Sequence, residues 1–104
     1  MIVTVFRSRL NPQTEAEYLQ WAERMHELAV TMPGYVSHKT FAAEDGERVT
    51  IVEFESEETQ RAWARHPEHR DAQELGRTRF YTEYALQVCE VKRRSGSSPA
   101  PKAA

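Results

Sequence analysis

A single cysteine, Cys89, is all the thiol chemistry that the 104 residues carry. One thiol excludes an intramolecular disulfide and any cysteine-based zinc cluster. Its place in the apolar run Leu86-Gln87-Val88-Cys89-Glu90-Val91 predicts a buried, inert side chain. An excess of one charge is also missing: 14 lysines and arginines stand against 16 aspartates and glutamates, a formal net charge of −2. That balance supplies no cationic face, so neither nucleic acid nor an anionic membrane is expected as a partner. The longest basic run, Lys92-Arg93-Arg94, borders a polar tail and reads as solvated charge. No apolar run approaches the ~18 residues of a membrane-crossing helix, and no charged-then-apolar leader is visible. A cytoplasmic protein is the expectation.

What the sequence does have is the balance of one folded domain, with 39% hydrophobic and 29% charged residues. A domain of this size buries only about 60–70% of the surface its unfolded chain exposes, so association is a natural way to bury more. Ile2-Val3-Thr4-Val5-Phe6 opens a strand that continues to about Leu10. Val3 and Val5 fall on one face, Ile2 and Phe6 on the other, the mark of a strand covered on both sides. Asn11-Pro12 then starts a helix, with Asn as cap and Pro where its missing N–H costs nothing. Tyr18, Trp21, Met25, Leu28 and Met32 make one apolar stripe along it, and Pro33-Gly34 ends it.

Tyr35 to Ala43 and Arg48 to Glu55 read as two strands, with Asp45-Gly46 between them as a hairpin signal. Ser56 followed by Glu57 and Glu58 caps a second helix, which breaks near His66-Pro67. Pro67 restarts a short helix ending near Gly76, and Arg79 to Val91 forms the last strand. The fold class is therefore α+β: a ferredoxin-like βαββαβ order with a four-stranded antiparallel sheet and both helices on one face. Residues 1–92 form the domain, and the small polar segment 93–104 is expected to be a disordered tail. Strands apolar on both sides predict a homodimer in which a second copy covers the open face, removing roughly 1,600 Å² or more from water.

Several local features in this order resemble the antibiotic biosynthesis monooxygenase domain, a family of dimeric α+β barrels. They are Met32-Pro33-Gly34-Tyr35 before the second strand and Val52-Glu53-Phe54-Glu55-Ser56 leading to a helix with Trp63. His66-Pro67-Glu68-His69, Phe80-Tyr81 and the closing Leu86-Gln87-Val88 continue the likeness, which spans about residues 1 to 92. The resemblance implies a cavity between sheet and helices in each subunit. It also implies one of several activities: oxidation of polycyclic phenols or anthrones to quinones by dioxygen without metal or flavin, oxidation of quinols, or haem binding and cleavage in a related branch. A non-catalytic dimeric domain holding a small aromatic is the alternative from a different class, since fold does not fix function.

Trp63 matches the helix tryptophan shared by the quinone-forming and haem-degrading branches. It is either a stacking wall of a flat aromatic pocket or a plug of the core. Trp21, on the first helix stripe, reads as plain core. His69 suits a base or hydrogen-bond donor toward a phenol, replacing the tyrosine that the quinone-forming branch carries nearby. His66 belongs with the substrate-binding candidates or caps the helix at Pro67; with His69 it makes a His-x-x-His pair that lacks a third metal ligand. Arg77 either stabilises a phenolate or forms a surface ion pair. Phe80 and Tyr81 are placed by the resemblance at the cavity mouth. Arg7 and Arg9 suggest a polar patch in the cavity or at a dimer edge, and His38 and Lys39 are left open. The haem branch has an asparagine on its first strand, where this chain has Arg7 or Ser8. Its ligating histidine falls near Gln73 here, so no cofactor and no metal are expected.

Overall fold

The computed structural model describes residues 1–97. The elements run β1 (Ile2–Leu10), α1 (Glu15–Ala29), β2 (Tyr35–Ala42), β3 (Arg48–Phe54), α2 (Glu57–Ala64), α3 (Pro67–Leu75) and β4 (Tyr81–Glu90). The four strands form one antiparallel sheet in the order β2-β3-β1-β4, the ferredoxin-like α+β arrangement. Residues 93–97 carry no helix or strand, and the rest of the expected tail, 98–104, lies outside the described residues.

Two boundaries depart from the sequence reading. Asn11 accepts a hydrogen bond from Gln13 N through its side chain, but Pro12–Thr14 is a 3-10 turn and α1 begins only at Glu15. The last strand begins at Tyr81 rather than Arg79, because Gly76–Phe80 forms one wide π-helical turn first.

Two glycines answer to close geometric demands. Gly46 in the β2–β3 hairpin has φ +91°, a conformation that side chains resist. Gly34 has φ +80°, and a Cβ there would come within 2.4 Å of the Thr59 side chain. Thr59 is itself fixed: Ser56 and Thr59 cap α2 reciprocally, each side chain meeting the other's backbone N–H. Gly34 thus lets the start of β2 sit against the start of α2.

Directly paired residues share a face of the sheet. Ile2, Thr4, Phe6 and Ser8 of β1 pair with Phe54, Val52, Thr50 and Arg48 on one side, and Phe6 and Ser8 with Leu86 and Tyr84 on the other. This face is turned to the helices. Its packed part is Ala29, Phe54 and Trp63, with Met25, Leu28, Met32, Tyr35 and Val52 around them. The opposite face carries Val3, Val5, Val49 and Ile51 and has no helix over it. Cys89 pairs with Val3 on that open face and is exposed, which corrects the expected buried thiol: β4 is an edge strand, and alternation sets the sulfur outward.

Candidate functional site

Two short helices separated by a proline set the first half of the site. α2 carries Trp63 inward, only 6% exposed. The chain then breaks at His66, whose Nδ1 accepts a hydrogen bond from Glu68 N at 3.2 Å and so caps α3. The restart brings His69 flat against Trp63, with ring centroids 4.1 Å apart and planes 13° from parallel.

His69 Nδ1 lies 3.0 Å from the Trp63 carbonyl oxygen. A carbonyl only accepts, so Nδ1 carries the proton and the neutral ring keeps its lone pair on Nε2. Burial pushes the His69 pKa down, outweighing the carbonyl bond, which favours the charged form. The arrangement presents a neutral imidazole base held rigidly on an indole.

The π-helical turn sets the second half. A Cβ on Gly76 would come within 2.4 Å of the Tyr81 ring, so this turn closes only with glycine at its start. Phe80 at its end is 2% exposed, and its carbonyl is tied to Asn11 N at 2.7 Å. Tyr81 meets Phe6 edge-on at 5.1 Å and Tyr18 at 5.9 Å. Its hydroxyl is driven far above the ordinary tyrosine range, first by burial and then by Tyr18. Tyr81 is therefore a hydrogen-bonding wall, not a proton source at neutral pH. Arg77 pairs with Glu74 across one helical turn and also lines the cavity.

These parts line a cavity of about 390 Å³ between helices and sheet, partly open to solvent. That volume suits a small aromatic ligand. Side chains from all four strands reach it, so it runs across the sheet from β2 to β4. At the β2 side, His26 Nδ1 lies 3.0 Å from His38 Nε2, and Thr40 and Thr50 share a hydroxyl hydrogen bond of 2.8 Å. Burial and the neighbouring His26 both lower the His38 pKa. No carboxylate stands among the residues that line the cavity. Among the described residues, no three His, Cys, Asp or Glu side chains converge as metal ligands.

Trp63, His69, Arg77, Phe80 and Tyr81 thus come together around one space. His66 does not join them, since its ring is committed to the α3 cap. Arg7 does not either. It lies on the open face, held by two hydrogen bonds to Glu47 at 2.9 and 2.8 Å. Arg9 is likewise held by Asp45 and Glu83 at that end of the sheet. The haem position falls on Gln73, whose amide donates to the Ala64 carbonyl at 3.3 Å. An amide is no axial iron ligand, so these residues do not fit haem.

Sequence reasoning missed the contribution of α1. Trp21, read as plain core, lines the cavity with Tyr18, Met25 and His26. The stripe itself was the signal. Periodicity shows which face points inward but not whether a packed core or an empty space awaits it.

Comparison with known proteins agrees with this fold. A protein-family model described as antibiotic biosynthesis monooxygenase matches residues 1–75. The Bacillus subtilis protein YqjZ is 33% identical over 89 residues, covering 86% of this chain and 78% of YqjZ. Rv0793 from Mycobacterium tuberculosis superposes with a TM-score of 0.79 at 15% identity, covering 91% of this chain and 98% of that one. SnoaB from Streptomyces nogalater, described as a cofactor-independent oxygenase, gives a TM-score of 0.75 at 17% identity over 89% of this chain and 94% of its own. The chain belongs to the antibiotic biosynthesis monooxygenase family.

Proposed function

We propose that this protein oxidises a small aromatic phenol, quinol or anthrone with dioxygen, as a monooxygenase that uses no cofactor. The observation that carries the reading is His69: an imidazole stacked on Trp63, its Nδ1 bonded to the Trp63 carbonyl and its ring lining an aromatic cavity. A phenol or anthrone becomes a reductant once it loses a proton. The protein then needs to supply a base, a dry pocket and a charge stabiliser.

For an anthrone the overall change is R₂CH₂ + O₂ → R₂C=O + H₂O. His69 removes a proton, leaving a delocalised anion that gives one electron to dioxygen. The resulting pair of radicals combines in a C–O bond, and the peroxide formed is protonated. Loss of the second C–H proton with cleavage of the O–O bond gives the carbonyl and, after one more proton, water. Trp63 and Phe80 hold the flat ring by stacking, Tyr81 borders it, and Arg77 stabilises the phenolate-like oxygen.

The open face supports a homodimer as the working unit. Val3, Val5, Val49 and Ile51 form a row of apolar side chains with no helix over it. A second copy placed sheet to sheet would cover them and the Cys89 thiol.

Oxygen uptake by the purified protein, with a panel of anthrones, naphthols and hydroquinones, tests the activity. Uptake above the autoxidation blank that falls at least tenfold in His69→Ala, and several-fold in Trp63→Phe, is the expected result. No uptake across the panel, with the same aromatics still bound, would make the protein a small-molecule-binding domain instead.

A further inference from the structure

The cavity floor changes character from one edge of the sheet to the other. Thr40 pairs with Thr50, Thr50 with Phe6, and Phe6 with Leu86, so these four form one row across β2, β3, β1 and β4. All four line the cavity. The row begins with two hydroxyls bonded to each other at 2.8 Å and ends on an aliphatic side chain of the edge strand.

The helices do not reach the far end of that row. Tyr84 is 49% exposed, Leu86 58% and Val88 50%. All three stand on the helix-side face, where Ser8, Phe6 and Thr4 pair with them in turn. The opposite face of β4 carries Ala85, Gln87 and Cys89, which are small or polar. The large apolar side chains of this strand are thus gathered on the cavity side, although no helix among the described residues covers them. A continuous exposed apolar strip marks a place where something binds. Tyr84 and Leu86 also line the cavity, so the strip continues its floor outward. From Tyr84 to Val88 it runs about 13 Å, at roughly 3.3 Å per residue.

Resting on the oxygenase reading above, we infer that the substrate is an aromatic ring bearing an apolar arm, with the ring at Trp63 and Phe80 and the arm lying along β4 over Leu86 and Val88. A bare hydroxylated ring leaves the strip wet, whereas an alkyl arm covers it. A charged arm finds nothing at Leu86 or Val88 to pair with, and its desolvation there is costly. These two residues therefore select the substrate by the length and polarity of its arm. Each methylene laid on the strip strengthens binding by up to about fourfold, and by less where one side stays in water. The arm makes the same contacts before and during the reaction, so its effect falls on KM and not on kcat.

Hydroquinones carrying a methyl, propyl or pentyl chain test this, with affinity read from the tryptophan fluorescence of the intact protein and oxygen uptake measured beside it. In wild type, affinity should rise about tenfold or more from methyl to pentyl, with KM falling in step and kcat nearly constant. The double variant Leu86→Thr, Val88→Thr keeps residues that suit a strand at positions already half-exposed, so the fold is preserved. In it the rise from methyl to pentyl should shrink to about threefold or less. Equal wild-type affinity for methyl and pentyl would overturn the inference and leave the oxygenase reading standing. A double variant that keeps the full rise would overturn it as well, and loss of the dimer in that variant would give the strip to a second copy. Affinity that rises with chain length while no member of the series supports uptake would defeat the oxygenase reading and uphold the strip as a ligand contact.

Discussion

The two faces of the sheet come from the same strands by the same alternation, yet they are built for different neighbours. The helix-side face is aromatic and only partly filled: Phe54 and Trp63 pack against Ala29, and beside them the cavity is left open. The other face is a short apolar row ending in ion pairs, Arg7 with Glu47 and Arg9 with Asp45 and Glu83. A two-layer domain of this size cannot bury both faces with its own helices. One face receives the helices and the cavity, and the other is the face the proposed dimer would cover.

The largest effect that would break this contrast is loss of the proposed dimer. Ile51→Asp places a charge in the middle of the apolar row without touching the cavity side. The expected outcome is conversion of dimer to monomer by light scattering at micromolar concentration, with the helical signal preserved. A wild-type protein that is already monomeric would remove the partner from the comparison altogether.

A smaller effect separates the faces by pH. His69 and His38 on the helix side have folded pKa values below the ordinary histidine value of 6.5. The unfolded chain then binds protons first as pH falls. Stability is full above about 6.5 and declines below it, by at most about 1.4 kcal/mol per pH unit for each group. The carboxyls of Asp45 and Glu47 on the other side are held below their ordinary range, chiefly by hydrogen bonds from Arg9 and Arg7. Their contribution is intact above the usual carboxylate range and is lost only as pH falls through the lower folded values. Urea denaturation of wild type should therefore show a decline beginning near pH 6.5. His69→Leu should flatten that decline and leave the one at lower pH unchanged. An unaltered slope between pH 5 and 6.5 would mean that His69 is not held neutral.

The alternation that builds both faces was legible in the sequence, and so was the order of elements. Val3 and Val5 against Ile2 and Phe6, Asp45-Gly46 at the hairpin and Ser56 at the start of α2 each specify their local structure through short-range chemistry. The candidate site was legible only in part. His69 and Trp63 are six residues apart and meet because Pro67 restarts the helix, a local event. Arg77 and Phe80 were named, but the π-helical turn that sets them beside the cavity has no periodicity to announce it. The His26–His38 contact joins α1 to β2 by tertiary packing, so neither residue marks the other in sequence. Arg7 shows the converse failure. A charge in an apolar strand reads as a polar patch in the cavity or at a dimer edge, until the register sets Arg7 across from Val49 and its side chain meets Glu47 in the adjoining hairpin.

The smallest expected effect tests that last assignment. Arg7 is largely exposed, and its pair with Glu47 is of the kind that contributes little in water. Arg7→Ala should leave the unfolding midpoint nearly unchanged at 150 mM salt, because screening already weakens the pair it removes. At low salt a small loss should appear, and it should vanish in Glu47→Ala, where the partner is already gone. Oxygen uptake should be the same in Arg7→Ala as in wild type, because the open face lies on the far side of the strands from His69. A clear loss of uptake with the dimer intact would mean that the ion-paired end of the sheet reaches the substrate, and the division of labour between the two faces would fail there.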